Sequence, residues 1–400
     1  MRSAYMLDFP VAEYEARVAK MANLLKEAGM DAVILTTETN LRYFCGFQSI
    51  VWSSGVSTPG LLVITADGGI SLIGAQSGHG TLVACSCIDE ADIYTFGNQS
   101  VAYAPSFAHA TGKVLEEKKL TKGKVGMELG AGFRLHLSHP DYLTIMSYLQ
   151  EADVQDASGL IWKLRAVKSE AELEYVRRVC KINCDMYSVA FNSVFPGKTT
   201  EEDVFRTMAK VAYELGAMRM DSMGIRSGSD RYFHGNCMPT PRIIGTDANE
   251  MMLIDGGPVY KGYCSDILRQ GVVGEPTQIQ KEAYAYTVDL TEYAMSIVKA
   301  GVRVADTVNM VEAYAAKHEK FYSYKTYIGN MGHSIGLGIH EIPMLTTSSE
   351  WEYQENMIIA IEPTITIANE GRFGIEQNLR VTKDGVENLT PLSTELYRLR

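Results

Sequence analysis

The 400-residue sequence contains no apolar run that approaches the roughly 18 residues needed to span a bilayer. Its first 30 residues mix acidic and basic side chains with apolar ones, and they lack the apolar core of a secretory signal peptide. We therefore expect a cytoplasmic protein with no membrane partner.

Basic residues are also in short supply, with 37 Lys and Arg against 48 Asp and Glu and a formal net charge of −11 at pH 7. Nucleic acids and anionic membranes are normally met by a basic surface, so neither is an expected partner. The seven cysteines are odd in number and scattered. Neither Cys85-x-Cys87 nor Cys180-x-x-x-Cys184 has the two-residue gap of common zinc sites, which favours reduced thiols.

Length and pattern together predict two domains, because a single hydrophobic core rarely extends past about 250–300 residues. Residues 1–160 alternate helical and strand patterns, including a helical face that starts at Tyr14 and a buried strand at 31–37. This alternation predicts an α/β domain with a mixed sheet. Residues 161–400 open with the capping-box pair Ser169 and Glu172 and are predicted to form an α+β domain.

Two segments of the second half resemble each other at a constant offset, namely 194–204 and 298–308. Each reads as a helix end, a glycine (Gly197 or Gly301) and a new helix start. This similarity between the two segments predicts an internal repeat with pseudo-two-fold symmetry in the second domain.

Two predicted hairpins of the second half carry carboxylates within apolar strands. In the first, the strand reaches Asp255, turns and returns through Asp266, so the two aspartates are expected roughly opposite each other. In the second, Glu362 and Glu376 flank a turn in the same way. Buried carboxylates that face each other destabilise the fold unless a positive charge compensates them. Because the same arrangement occurs in both hairpins, it indicates divalent cations with oxygen ligands. Exposure of the acids on a solvent face is the alternative.

A glycine-rich segment with two histidines, His333 and His340, lies between the hairpins. Its glycines permit close backbone approach. From spacing alone the histidines could be ligands or structural residues.

The same motifs resemble those of the pita-bread metallopeptidases, a family that includes prolidase, aminopeptidase P, methionine aminopeptidase and creatinase. They read Asp-Gly…Gly-Tyr-x-Ser-Asp-Ile…Arg, then Gly-His-x-Ile-Gly-Leu-x-Ile-His-Glu, then Ile-Glu-Pro, then a final Glu before Val-Thr-x-Asp-Gly. Two earlier segments also agree, Asn40–Phe47 and Leu164–Glu172. The resemblance implies a creatinase/prolidase-like α/β domain at 1–160 and a pita-bread catalytic domain at 161–400.

The resemblance also implies a dinuclear metal site. Asp255 would chelate one ion, and Asp266 and Glu376 would bridge the two. His333 and Glu362 would hold the second ion. Two such ions lower the pKa of a shared water toward roughly 7, which supplies hydroxide at neutral pH. Manganese is expected because hard oxygen ligands dominate, and cobalt, iron and zinc also fit this set.

Three residues receive catalytic roles from the same resemblance. Glu362 would shuttle protons, and His340 would stabilise the developing oxyanion. His234 is the nearest match to a third family histidine, with a structural loop histidine as the alternative. Arg269 would anchor its neighbours rather than react.

A homodimer is implied as well, in which the N-terminal domain of one chain lines the pocket of the other. Trp52 and the adjoining Ser53, Ser54 and Gly55 are the candidates for that wall. Ordinary core packing is the alternative for the tryptophan.

The sequence departs from the family pattern at the final ligand. Family peptidases usually carry Arg-Ile-Glu-Asp there, whereas this chain reads Gly374-Ile-Glu-Gln377, and Arg372 is at most a displaced substitute for the arginine. These changes are predicted to alter the substrate pocket and to leave the metal ligands complete.

The leading functional prediction is a metal-dependent hydrolase of the Xaa-Pro dipeptidase or aminopeptidase type, acting on short peptides. The alternative is a pita-bread enzyme with a small non-peptide substrate, such as an amidino or cyclic-amide hydrolase or a lyase. A catalytically inactive binding module is a third possibility, disfavoured because all five ligands are present.

Overall fold

The computed structural model of the chain describes residues 6–53, 60–97, 106–228 and 238–399. Contacts within the chain divide it into two compact units, Met1–Leu164 and Arg165–Arg400. No helix in the described ranges is long and apolar enough to cross a membrane. The cysteines within these ranges are free, as the sequence predicts.

The N-terminal unit is built on a mixed sheet. Its strands are β1 (Ala32–Leu35), β2 (Gly60–Thr65), β3 (Ile70–Ala75), β4 (Ile93–Phe96), β5 (Lys124–Met127) and β6 (Asp153–Asp156). They lie in the order β4-β3-β2-β1-β5-β6. β2 runs antiparallel to both of its neighbours, and the remaining pairs are parallel. The predicted α/β domain with a mixed sheet is therefore confirmed.

Helices connect these strands. They are α1 (Val11–Glu27), α2 (Glu38–Cys45), α3 (His79–Ala84), α4 (Ser106–Glu117), α5 (His139–Tyr148) and α6 (Ser158–Ala166), in which the boundary between the units falls. Short 3₁₀ turns occur at Ile50–Ser53, Gln76–Gly78 and Glu90–Asp92. The core joins the sheet to α4 and α5 through buried residues such as Ile34, Val63, Phe107 and Ile145.

The C-terminal unit holds the remaining helices and strands. Its helices are α7 (Glu170–Ala190), α8 (Glu201–Glu214), α9 (Gln278–Ile297), α10 (Val304–Ala315) and α11 (Glu319–Tyr322), with a 3₁₀ turn at Phe191–Ser193. The strands are β7 (Arg219–Ser227), β8 (Met251–Tyr260), β9 (Tyr263–Cys264), β10 (Ile267–Val273), β11 (Lys325–Tyr327), β12 (Asn330–Ser334), β13 (Glu341–Thr346), β14 (Ile358–Ile361), β15 (Thr364–Ile367), β16 (Gly371–Gly374), β17 (Gln377–Val381), β18 (Val386–Asn388) and β19 (Tyr397–Leu399).

These strands form three sheets among the described residues. Their orders are β19-β10-β8-β7 with β9 on β8, β11-β15-β16, and β13-β12-β14-β17-β18. The predicted capping box opens α7, since Ser169 accepts from the Glu172 backbone N–H and the Glu172 side chain accepts from the Ser169 N–H.

The two similar sequence segments occupy equivalent places in this unit. Gly197 lies between α7 and α8, and Gly301 lies between α9 and α10; both have a positive φ, 77° and 85°. Each helix pair is followed along the chain by an antiparallel sheet, β7-β8-β10 in one case and β12-β14-β17 in the other. The order of elements thus matches the internal repeat that the sequence predicts.

Candidate metal centre

The two aspartates come from the hairpin of β8 and β10. Asp255 lies within β8, and Asp266 immediately precedes β10. The register sets Asp255 opposite Leu268, two residues beyond Asp266. The aspartates are therefore diagonal neighbours rather than a directly facing pair, which corrects the prediction that they lie opposite each other. Diagonal neighbours in a sheet remain within reach of each other's side chains.

The two glutamates lie where one long hairpin changes sheet. Ile361 pairs with Gln377 and Thr364 with Gly374, so the same register sets Glu362 opposite Glu376. The predicted facing of these two carboxylates is therefore confirmed. Neither glutamate belongs to a strand. Glu362 lies in the break between β14 and β15, and Glu376 lies in the break between β16 and β17.

His333 brings the two hairpins together. It lies in β12 and pairs with Ala360 of β14. Its Nε2 atom is 4.0 Å from Asp266 Oδ2 and 3.8 Å from an oxygen of each glutamate. Ligand atoms within 4.8 Å of one another form three overlapping groups: Asp255 with Asp266 and Glu376; His333 with Glu362 and Glu376; Asp266 with His333 and His340.

Several polar atoms of this cluster are buried without a hydrogen-bond partner in the described part of the chain. They are Asp266 Oδ1, His333 Nε2 and both carboxylate oxygens of Glu376. Glu376 is 1% exposed, so water does not compensate its charge. Orphaned buried carboxylates are strongly unfavourable unless a cation satisfies them. Four carboxylates and one imidazole therefore fit divalent metal ions.

The mutual repulsion of the carboxylates appears in their acidity. Burial and then Asp255 raise the pKa of Asp266 well above its usual range. Burial and then Asp266 do the same to the pKa of Glu376. Burial and Asp255 raise the pKa of Glu362 to about 7. A cation between these groups would reverse the effect, because it favours their ionised forms.

His333 is held in the form that a metal ligand needs. Its Nδ1–H donates to the Ser334 carbonyl oxygen at 3.0 Å, which leaves the Nε2 lone pair directed at the carboxylates. Burial, followed by the neighbouring His340, lowers the pKa of His333 to about 3. The ring is therefore neutral at pH 7, and a neutral imidazole is the metal-binding form.

Buried side chains that the sequence did not single out hold the aspartate strands. Asn378 accepts from the Asp266 backbone N–H at 2.9 Å and donates to the Asp266 carbonyl at 2.6 Å. The Tyr187 hydroxyl contacts the carbonyl oxygens of Gly256 and Ile267. No local pattern marks such residues, because their partners lie far along the chain.

Arg269 occupies the anchoring position that the resemblance implies. It is fully buried and donates to the Glu376 carbonyl at 2.7 Å and to Gln377 Oε1 at 3.1 Å. Gln377 Oε1 also accepts from Thr390. The Gln377 amide oxygen is thus held within the protein by Arg269 and Thr390, and an altered substrate pocket at Gly374–Gln377 stays a prediction.

Glu341 is a further residue whose role sequence reasoning missed. It directly follows His340, is buried, and forms ion pairs with Arg165 and Lys168. Its Oε1 also accepts from the Gly338 N–H at 3.0 Å. Burial alone would raise the pKa of Glu341, but Arg165 and Lys168 outweigh burial and lower it. Through Glu341, the glycine-rich segment that precedes His340 is connected to Arg165 and Lys168, at the beginning of the C-terminal unit.

The remaining predicted residues differ in their placement. His340 is exposed and packs its ring edge-on against His333, with 4.4 Å between centroids. His234 lies outside the described residues, as do Ser54 and Gly55. Trp52 is 9% exposed and packs against Phe47 and His136 within its own unit, which fits core packing.

Comparison with known proteins agrees with this geometry. Residues 174–383 match the sequence model of Metallopeptidase family M24, and residues 17–167 match that of the Creatinase/Prolidase N-terminal domain. A Xaa-Pro dipeptidase from Lactobacillus delbrueckii subsp. lactis is 26% identical and aligned over 94% of this chain and 97% of its own. The uncharacterized peptidase YqhT from Bacillus subtilis is 24% identical, over 96% of this chain and 100% of its own.

A solved structure confirms the fold. The dipeptidase PepE from Mycobacterium ulcerans superimposes with a TM-score of 0.83 at 20% identity, covering 98% of this chain and 99% of that one. The match to the peptidase family spans more than half of the sequence. The chain therefore belongs to metallopeptidase family M24, with a creatinase/prolidase N-terminal domain ahead of its pita-bread domain.

Proposed function

We propose that this protein is a dinuclear metal hydrolase. Its substrates are Xaa-Pro dipeptides, or longer peptides from which it removes an N-terminal residue that precedes proline. The observation that carries the proposal is the group of orphaned, buried donors formed by Asp266, His333 and Glu376, completed by Asp255 and Glu362. Such a donor set serves no structural purpose without cations, because each unpaired buried carboxylate destabilises the fold.

Two metal ions are proposed because the donors form overlapping groups rather than one. Asp255, Asp266 and Glu376 make one group, and Glu376 recurs in the other with His333 and Glu362. Manganese remains the expected metal because oxygen donors dominate. When bound, such ions polarise the scissile carbonyl and activate water.

The side chains around the ions have separate tasks. Glu362 keeps a partly exposed carboxylate, at 19%, and is the group best placed to carry a proton between water and the leaving nitrogen. His340, exposed beside the buried His333, is placed to donate to the developing oxyanion. Arg269 and Asn378 act only by holding the strands that carry the ligands.

The proposed preference for proline is based on the named relatives. The alternative, a non-peptide substrate, is based on the difference between Gly374–Gln377 and the Arg-Ile-Glu-Asp pattern of the family's peptidases. The Gln377 amide oxygen accepts from Arg269 and Thr390 within the protein, so it is not free to bind a substrate. This weakens the alternative and favours peptide hydrolysis.

The test uses stripped protein reloaded separately with manganese, cobalt and zinc. Each form is offered a panel of Xaa-Pro and matched Xaa-Ala dipeptides, and metal content per chain is measured on the same samples. We expect two ions per chain and turnover confined to proline peptides. Asp266→Ala is expected to lose both metal binding and turnover, whereas the exposed-site variant Glu350→Gln keeps both.

The outcomes separate the candidates. Two bound ions with every peptide intact would reject the peptidase and direct the search to amidino and cyclic-amide substrates. Turnover that survives in Asp266→Ala would reject the metal site itself. A protein that binds no metal in any form would leave only the inactive binding module.

A further inference from the structure

His340 lies in an irregular segment of the C-terminal unit. It ends a run of backbone bends at 336–340, in the connection from β12 to β13. Its ring packs edge-on against His333, and no hydrogen bond to the ring is formed within the described part of the chain. The position of the ring therefore depends on how the backbone of this segment is held.

The carboxylate of the next residue, Glu341, lies against this segment. Its Oε1 atom accepts from the Gly338 N–H at 3.0 Å, and a Cβ on Gly336 would be 2.6 Å from its Oε2 atom. The Gly336 N–H in turn donates to the Gly338 carbonyl oxygen at 3.0 Å. The segment before His340 is therefore folded closely around the Glu341 carboxylate.

Two buried cations fix this carboxylate in place. Arg165, in α6, donates to Glu341 Oε1, and Lys168 Nζ lies 3.5 Å from Glu341 Oε2. The side chains of Arg165 and Lys168 are 3% and 1% exposed, so water does not weaken their attraction to the carboxylate. Breaking a buried ion pair of this kind costs far more than breaking an exposed one. The carboxylate is therefore held more firmly than a surface ion pair would hold it.

A second set of contacts joins the segment to β9, which ends two residues before Asp266. The Cys264 N–H donates to the Gly336 carbonyl oxygen at 2.8 Å, and the Cys264 thiol donates to the Leu337 carbonyl oxygen at 3.8 Å. The start of the segment is thus fixed next to the strand that leads to Asp266. Its end, at His340, is fixed through the neighbouring carboxylate.

We propose that Glu341, held by Arg165 and Lys168, positions the His340 ring for its hydrogen bond to the substrate. The inference rests on the proposed function, in which His340 donates to the developing oxyanion. Glu341 is a positioning residue in this scheme, because it acts through the backbone that carries His340. Hydrogen bonds weaken steeply as their geometry departs from linear, and a displacement of about 1 Å can lower a rate by roughly 100-fold.

A double-mutant cycle on the metal-loaded enzyme tests the proposal. Glu341→Gln is expected to lower kcat for an Xaa-Pro dipeptide by roughly 10–100-fold, with a smaller change in KM, because the displaced ring no longer meets the transition state. In the His340→Ala background the same substitution should lower kcat by less than about 3-fold, since no ring remains to be displaced. Equal factors in the two backgrounds would overturn the proposal and leave Glu341 with a purely structural role.

A second readout needs no turnover. NMR follows the histidine rings in zinc-loaded protein labelled at the histidine Cε1 atoms, and His340→Ala assigns the His340 signal. Glu341→Gln should shift or broaden that signal and leave the signal of His79, in the N-terminal unit, unchanged. An unchanged His340 signal in Glu341→Gln would contradict the proposal. If the wild-type protein cleaves no peptide, the proposed function fails, and the ring signal still shows whether Glu341 positions His340.

Two further variants separate positioning from a loss of stability. Glu250→Gln alters another buried carboxylate, which is 1% exposed, lies 3.3 Å from Arg242 and directly precedes β8. It should lower the melting temperature and leave both kcat and the His340 signal unchanged. Glu341→Asp keeps the charge, so it should fold even if Glu341→Gln does not, but its shorter side chain cannot reach both Gly338 and the two cations. It should displace His340 as Glu341→Gln does, and a folded Glu341→Asp variant with wild-type kcat and His340 signal would overturn the proposal.

Discussion

Gly332 lies so close to Ala360 that a Cβ on the glycine would be 2.0 Å from the Ala360 carbonyl oxygen. The contact belongs to the pairing of β12 with β14, and the φ of Gly332 is 149°. β12 carries His333, and β14 leads directly into Glu362. The distance between two predicted ligands therefore depends on the absence of a side chain at position 332.

Gly332→Ala is expected to force the two strands apart. Overpacking of this kind costs about 1–3 kcal/mol of unfolding free energy, and we expect metal affinity to fall by roughly 10–100-fold, as for other changes that displace ligands. Urea unfolding and metal titration measure the two effects. Gly329→Ala is the control, since its nearest neighbour would be a Glu312 side-chain oxygen at 3.5 Å. Unchanged metal affinity in Gly332→Ala would show that strand spacing does not position the ligands.

The stripped protein should lose stability as pH rises. Asp266, Glu362 and Glu376 have raised pKa values, that of Glu362 about 7. The folded state therefore holds protons that the unfolded chain, with carboxyl pKa values near 4, has already released. Stability is greatest at the acidic end and falls as pH rises from about 5 through 7.

Thermal melts of stripped protein across this pH range check the expectation. Glu376→Gln removes one of the repelling charges and should flatten the decline, whereas Glu350→Gln should not. Added divalent metal should raise the melting temperature most at the neutral end. If the melting temperature of the stripped wild-type protein rises with pH, the proposed repulsion among the buried carboxylates is wrong.

Glu341→Gln is expected to leave Arg165 and Lys168 buried without their carboxylate. Breaking a buried ion pair from one side costs about 3–5 kcal/mol, so the urea midpoint should shift strongly. Glu387→Gln breaks ion pairs with Arg177 and Arg380, whose side chains are 40% and 19% exposed, and we expect at most about 1 kcal/mol there. Similar losses in the two variants would mean that burial does not amplify the Glu341 interactions.

Tyr187→Phe removes the hydroxyl that contacts the carbonyls of Gly256 and Ile267, next to both aspartates. We expect a loss of about 1–3 kcal/mol of stability, together with weaker metal binding. Tyr286→Phe offers a matched control, because its buried hydroxyl donates to the Ala315 carbonyl at 3.1 Å, in the helical part of the unit. Its stability should fall without a change in metal affinity. Equal metal affinities in the two variants would contradict the positioning role of Tyr187.

Local features of this protein follow from the sequence alone. The capping box at Ser169 and Glu172 and the free cysteines were correctly predicted. The acids in apolar strands were recognisable because ionised groups in such strands require compensation wherever the chain places them. The motif spacing was specific enough to identify the family and the pita-bread fold.

Only the tertiary structure decided how those residues meet. Sheet register made Glu362 and Glu376 face each other while it left Asp255 and Asp266 diagonal. Packing between distant elements brought Gln377 to Arg269, and Glu341 to Arg165, across long stretches of chain. Periodicity reports which face of a strand a residue occupies, whereas pairing between distant strands depends on packing summed over the whole domain. The buried Nε atom of Arg372, which has no hydrogen-bond partner among the described residues, is visible only after that packing is complete.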